Sequence, residues 1–193
     1  MYIKEEIKID CLKAIKRRRS IRRYIDRDVT EELLKEVINA GRLAPSGGNM
    51  QPWEFIVVRE RDKIKEVVET TFVGFDSKSG QKQSWLETAS LLIVVCTDYK
   101  RTVARYGEMG RKIALMDTSA AIENMLLAAT SLGLGSCWVS GFNQEELAKL
   151  LEIPGQIEPV AILPLGYFEG MTKSPSKFSL DEIIHYERYG NLK

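Results

Sequence analysis

Two groups of residues near the start of the chain have types and spacing suited to chemistry. The first is Arg18-Arg19-Ser20-Ile21-Arg22, set among Lys13, Lys16, Arg17 and Arg23. Seven cations within eleven residues stand out in a 193-residue chain with 28 basic and 27 acidic side chains and a net charge of +1. A guanidinium fork matches phosphate oxygens bidentately and Ser20 adds a short hydroxyl donor, so a phosphorylated ligand is a natural partner. Taken alone, the run fits a solvated basic face or a helix-end charge cluster equally well. The second group is Pro45-Ser46-Gly47-Gly48-Asn49-Met50-Gln51-Pro52-Trp53. Its paired glycines let backbone approach a ligand, and Ser46, Asn49 and Gln51 offer donors and acceptors for the edge of a heterocycle. Any tight turn uses the same residue types.

Other chemistries lose their support. A balanced charge gives no global field for nucleic acid or a membrane surface, and an arm over 16–23 would need salt-sensitive duplex binding. Cys11, Cys96 and Cys137 show no CxxC spacing, and with His185 as the single histidine they cannot build a standard zinc site; a reducing, cytoplasmic setting is expected. There is no GxxxxGK[ST], GxSxG or HExxH. Gly133-Leu134-Gly135-Ser136-Cys137-Trp138 begins like a dinucleotide fingerprint but lacks the third glycine and follows a helix where a strand is required. Paired carboxylates stay open among so many acidic residues. The charges within the first ten residues break any signal-peptide core. The long uncharged stretch 124–144 is interrupted by Gly133, Gly135, Ser136, Ser140 and Gly141, so it reads as buried helix, turn and strand rather than a membrane span.

The elements that position these residues follow from caps and periodicity. Asp10 caps a short helix supported by Leu12 and Ile15, which runs into the basic segment. Thr30 opens a second helix, with Glu31 and Glu32 in its first turn, Val29 stapled to Leu34, a stripe of Leu33, Leu34, Val37 and Ile38, and Gly41 as C-terminal cap. The β-branched runs 55–58 and 91–96 predict buried strands, and 160–165 a further one. The alanine-rich segment 119–132 predicts a closely packed central helix, with Met125 and Trp138 as ordinary core. Asn143 and Glu146 form a capping box for a helix ending before Pro154. A single domain over 1–193 is expected, α+β in class.

Together the two groups closely resemble the nitroreductase family: Arg-Arg-Ser-Ile-Arg, then Pro-Ser-Gly-Gly-Asn-Met-Gln-Pro-Trp-Glu-Phe. The likeness continues through Gly-Leu-Gly-Ser-Cys-Trp-Val-Ser-Gly-Phe at 133–142 and ends with Leu180-Asp181-Glu182-Ile183-Ile184-His185-Tyr186. The resemblance implies a dimeric three-layer sandwich with a mixed, mostly antiparallel sheet flanked by helices. It implies FMN held non-covalently at the dimer interface and NADH or NADPH as electron donor. Arg18, Arg19, Ser20 and Arg22 would hold the phosphate and pyrimidine edge. The loop of Pro45, Ser46, Gly47, Asn49 and Gln51 would reach the flavin bound mainly by the other subunit. Val139, Ser140 and Gly141 would lie along the isoalloxazine with amides near its N5, and Lys177 stands where relatives usually carry an arginine.

The implied reaction is ping-pong hydride transfer to a nitroaromatic, quinone or similar acceptor, with no need of an acid/base triad in the protein because the cofactor carries the chemistry. Arg22 would stabilise the reduced flavin electrostatically. His185 reads as a packed or capping residue rather than a base. Two departures from the family pattern are Ser140, where some relatives have glutamate, and the short polar stretch 73–84, where many carry a longer insertion. The motifs do not separate nitroreduction from same-fold action on the flavin itself or on a halogenated aromatic, nor from a flavin binder without turnover.

Overall fold

The structure is a computed structural model that describes residues 10–74, 80–170 and 173–192. Its organising strand is β2 (Leu91–Asp98). Leu91, Ile93 and Val95 point into one apolar cluster, and Leu92, Val94 and Cys96 into the other. That period-2 alternation with both faces apolar is why the segment reads as one unbroken hydrophobic run. β4 (Ile157–Gly166) does the same, with Ala161, Leu163 and Leu165 on one side and Ile162 on the other.

Among the described residues four strands run in the order β1-β2-β4-β3, where β1 is Trp53–Val58 and β3 is Gly135–Ser136, and each ladder between them is antiparallel. Among the described residues one isolated parallel bridge, from Ser20 to Ser136, adds to these ladders. Helices α2 (Glu31–Arg42) and α5 (Met109–Ser131) cover one face through Leu34, Val37, Ile122, Met125 and Leu126. Helices α3 (Arg61–Glu69) and α6 (Gln144–Leu150) cover the other through Ile64, Val67, Val68 and Leu147. The expected α+β three-layer sandwich is what forms.

Local signals explain the boundaries. Asp10 accepts from the amide of Lys13 and opens α1 (Cys11–Arg17). Thr30 accepts from Leu33 and opens α2. Asn143 accepts from the amides of Glu145 and Glu146 at the start of α6, but its own amide donates to Thr70 O at 2.8 Å, so no reciprocal capping box forms. α5 ends in a Schellman turn: Leu134 N–H donates to Ala129 O at 2.8 Å, Gly133 N–H to Thr130 O at 3.2 Å, and Gly133 takes φ +75°. That turn returns the chain to the sheet as β3.

Several expectations change. Gly41 lies inside α2 rather than at its cap, because a Cβ there would meet Met125 Cγ at 2.8 Å; Leu43 caps the helix. Leu12 and Ile15 are exposed, and Ala14 is the buried residue of α1. β1 is an edge strand with Glu54 and Val57 exposed, not a buried one. α5 begins ten residues before the expected helix, since Met109, Leu115 and Met116 face outward and mask its pattern. α3 and α4 (Tyr99–Tyr106) were not anticipated. The reading of the first nine residues lies outside the described residues, as do 75–79 of the polar stretch.

β2 and α5 are also tied by a hydrogen bond between the hydroxyls of Thr97 and Thr118, both fully buried, at 3.0 Å. Thr97→Val leaves Thr118 without this partner in the core and should cost about 1–3 kcal/mol in urea unfolding, whereas the double Thr97→Val, Thr118→Val protein should recover most of the loss.

Candidate active site

After α1 the chain becomes extended at Arg18. Ile21 N–H then donates to Ser136 O at 3.0 Å, which lays the basic segment alongside β3. Close approach needs a glycine opposite: a Cβ on Gly135 would stand 3.0 Å from Ile21 Cγ2 and 2.9 Å from Phe168. Burial pushes the Cys137 thiol up in pKa, while Arg22, Ser20 and Arg18 pull it down, and the thiol donates to Trp138 O at 3.8 Å. Sequence positions 18–22 and 135–137 therefore form one unit. Within it, Ser136 Oγ and Arg19 Nε are buried with no hydrogen-bond partner among the described residues.

The cations are not equivalent. Arg19 turns one terminal nitrogen back onto the last carbonyls of α1, at 2.8 Å to Lys16 O and 2.7 Å to Arg18 O. Arg18 makes a loose ion pair with Glu123 of α5 at 3.7 Å. Arg22 is exposed, with its guanidinium 6.0 Å from the centre of the Trp85 ring.

From Cys137 the chain continues into the late turn. Val139 and Ile162 exchange backbone hydrogen bonds at 3.0 and 2.9 Å, so the Val139 amide is taken by the sheet and is not available to a ligand. Phe142 N–H donates to Ser140 O at 3.1 Å, while the amides of Ser140 and Gly141 have no protein acceptor among the described residues. Met125 is core as expected, but Trp138 is 38 % exposed beside this turn, contrary to the core reading, because the alternation that buries Cys137 and Val139 turns it outward.

The loop at 45–51 is held from behind. Asp117 of α5 accepts the Gly47 amide at 2.9 Å, and Ser46 Oγ accepts the Gln51 amide at 3.0 Å. A 3₁₀ turn over Gly47–Asn49 follows, and Gly48, Asn49 and Gln51 all take left-handed φ, at +56°, +58° and +48°. Glutamine in that region is strained, and such strain concentrates at functional sites. The loop backs onto Arg105 and Tyr106 of α4 and Ile113 of α5, and Pro45 is exposed.

Asp117 and Glu123 stand six residues apart on α5, about 9 Å along the axis and about 240° around it. Loop and basic segment therefore lie on different sides of one helix, and the chain does not bring them together. Lys177 is exposed in an irregular stretch and joins neither. His185 is half-buried: its Nδ1 accepts from Gly190 N–H at 3.3 Å, and its ring lies 4.4 Å from that of the exposed Tyr189. No group of three or more potential metal ligands occurs among the described residues. Sequence reasoning missed Asp117, Trp85 and Gln83, whose side-chain amide donates to Gly141 O at 3.0 Å.

The profile described as "Nitroreductase family" matches residues 15–167. The chain belongs to the nitroreductase family. It is 39% identical over 187 residues to an Archaeoglobus fulgidus protein provisionally named NADH dehydrogenase/NAD(P)H nitroreductase, covering 93% of this chain and 99% of that one. A crystal structure of a nitroreductase family protein from Clostridium difficile 630 is similar with a TM-score of 0.78 at 32% identity, covering 93% of this chain and 99% of the other. The chain is also 26% identical to the FMN reductase [NAD(P)H] of Bacillus subtilis, over 94% of its length and 75% of the relative's. As a nitroreductase it is an NAD(P)H-dependent oxidoreductase whose cofactor is FMN.

Burial raises the Asp117 carboxyl's pKa, partly offset by the Gly47 amide. A carboxyl raised on folding makes its ionisation cost stability, a cost absent below the unfolded carboxylate range and complete above the folded pKa. Asp117→Asn keeps an acceptor for Gly47, so it should melt higher than the parent at neutral pH and lose that advantage as pH falls through the carboxylate range. Melting temperatures across pH check this.

Proposed function

We propose that the whole chain, 1–193, is one FMN-binding domain that works as a homodimer and transfers hydride from NADH or NADPH to a small electron-poor acceptor, such as a nitroaromatic or quinone, by a ping-pong mechanism. The observation that carries this reading is the pairing of the basic segment with β3 through Ile21 and Ser136. At one end it brings Arg22, Ser20 and Arg18 to the Cys137 thiol, next in sequence to Ser136, whose buried hydroxyl has no partner among the described residues, and a few residues on it leaves two unpaired amides at Ser140 and Gly141. Cations and an unsatisfied hydroxyl suit a phosphate, and unpaired amides suit the hydrogen-bonding edge of a heterocycle, so the residues present fit the group.

FMN, when bound, supplies the two-electron redox chemistry; the chain's work is binding, orientation and electrostatics. Arg18, Ser20 and Arg22 hold the phosphate and pyrimidine edge, and Arg22 stabilises negative charge on the reduced cofactor. Arg19 acts through its buried Nε, since one terminal nitrogen is committed to α1. Lys177 lies apart from both motifs within one chain, so the point charge that the family resemblance implies for it reaches the phosphate only if the C-terminal stretch approaches the site in the assembled protein. Val139 contributes its place in the sheet, which aims Ser140 and Gly141. Pro45, Ser46, Gly47, Asn49 and Gln51 act on the site of the second copy, a reading supported by their place on a different side of α5 from the basic segment.

Exposed apolar side chains support that assembly: Leu12 and Ile15 on α1, Met109, Leu115 and Met116 on α5, and Phe178, Leu180 and Ile183 near the C-terminus. Three unpaired cysteines are in keeping with a reducing cytoplasm. No helix among the described residues is long and apolar enough to cross a membrane. A second reading, with free flavin as the acceptor, draws on the name of the Bacillus subtilis relative.

An anaerobic spectrum decides between these. The FMN-loaded protein should bleach on NADH or NADPH and regain its band on addition of a nitroaromatic; recovery with free FMN alone would move the assignment to the second reading, and bound flavin that neither nicotinamide bleaches would overturn both. Arg18→Ala and Arg22→Ala each remove charge-assisted hydrogen bonds worth about 1.5–3 kcal/mol, so FMN should bind roughly 10- to 150-fold more weakly in titration.

A further inference from the structure

We infer that Gln83 is a positioning residue for the cofactor's reactive edge: its carboxamide locks the turn at 140–142 so that the unpaired amides of Ser140 and Gly141 face the flavin. This rests on the FMN reading above. A glutamine side-chain nitrogen carries two protons, and here both are used, to Phe72 O at 3.1 Å and Gly141 O at 3.0 Å. The Gln83 backbone amide donates to Thr71 Oγ1 at 2.9 Å, which fixes the root of the side chain. The Gly141 carbonyl also accepts from Phe72 N–H at 2.9 Å, so both of its lone pairs are occupied.

On the other side, Ser140 O accepts from Phe142 N–H. In a trans peptide the N–H points opposite to its C=O. The Ser140–Gly141 plane is thus held by its oxygen and presents the Gly141 N–H on the opposite side. Nothing larger than glycine fits this clamp, since a Cβ at 141 would lie 2.8 Å from Phe72 O and 3.0 Å from Gln83 Nε2.

The clamp is coupled to the basic end of the site. Gln83 leads directly into the 3₁₀ turn Ser84–Thr88, where Trp85 stands beside Arg22 and Thr88 Oγ1 accepts from Tyr24 N–H at 3.2 Å. One short segment therefore braces both the turn carrying the unpaired amides and the strand carrying the cations. A donor aimed in advance at a site of developing charge is what electrostatic catalysis requires, and a loosened donor loses much of its effect.

The test uses FMN-loaded protein with Gln83→Leu, which cannot donate, and Gln83→Glu, which sets a carboxylate against two carbonyls. The expected result is FMN affinity within about threefold of the parent, because the phosphate end is untouched, together with a shifted visible band and midpoint potential and a roughly tenfold slower reduction by NAD(P)H. Unchanged band, potential and reduction rate in a folded Gln83→Leu protein overturns the inference, and so does a loss confined to FMN affinity. Should both variants fail to fold, amide exchange in the parent protein decides: FMN should slow exchange at Ser140 and Gly141, and unchanged exchange there refutes the role. A parent protein that binds no FMN sinks the functional reading itself, and is told apart from these outcomes before any variant is made.

Discussion

The hydrogen bond from Ile21 N–H to the Ser136 carbonyl is the contact on which the arrangement of this molecule turns. It converts a basic helix exit, otherwise a solvated cluster, into the strand neighbour of a glycine-rich turn far away in sequence. The Schellman turn at Gly133 delivers β3 to the sheet edge, Gly135 is small enough for Ile21 to pack against it, and the Cys137 thiol comes within the influence of Arg22, Ser20 and Arg18. Each step has a local physical cause, and together they place cations at one end of a short strand pair and unpaired amides at the other.

α5 sets the second constraint. Its buried positions are mainly small or unbranched, so the sheet lies close on one side, while Asp117 reaches out to the Gly47 amide and Glu123 to Arg18. A helix that touches both motifs on different sides keeps them apart within one chain. On the proposed reading, in which both motifs serve one ligand, a second copy completes the site, and the outward apolar side chains of α1 and α5 give such a copy something to cover.

What was legible in the sequence follows from the range of each interaction. Caps are local, so Asp10, Thr30 and Asn143 announced their helices. β2, apolar on both faces, announced itself by composition. α3 hid because its short stripe of Ile64, Val67 and Val68 sits among charges, and the first half of α5 because part of its apolar surface points outward. The basic segment and the 45–51 loop were readable as motifs, through their resemblance to a known family. Asp117 and Gln83 were not, for their partners Gly47 and Gly141 stand 70 and 58 positions away and no pattern near either residue marks the contact. Gly41 misled for the same reason: its role is to admit Met125, a contact across two helices.

The most direct test of a site shared between two copies mixes two crippled subunits, one carrying Arg18→Ala with Arg22→Ala, the other carrying Ser46→Ala with Gly47→Val. Each alone should bind FMN poorly. If loop and basic segment serve the same flavin from different subunits, mixed dimers regain one intact site, and flavin binding and NAD(P)H-driven bleaching return in part on mixing. If mixing restores nothing although mixed dimers form, both motifs act within one chain and the shared-site account is wrong.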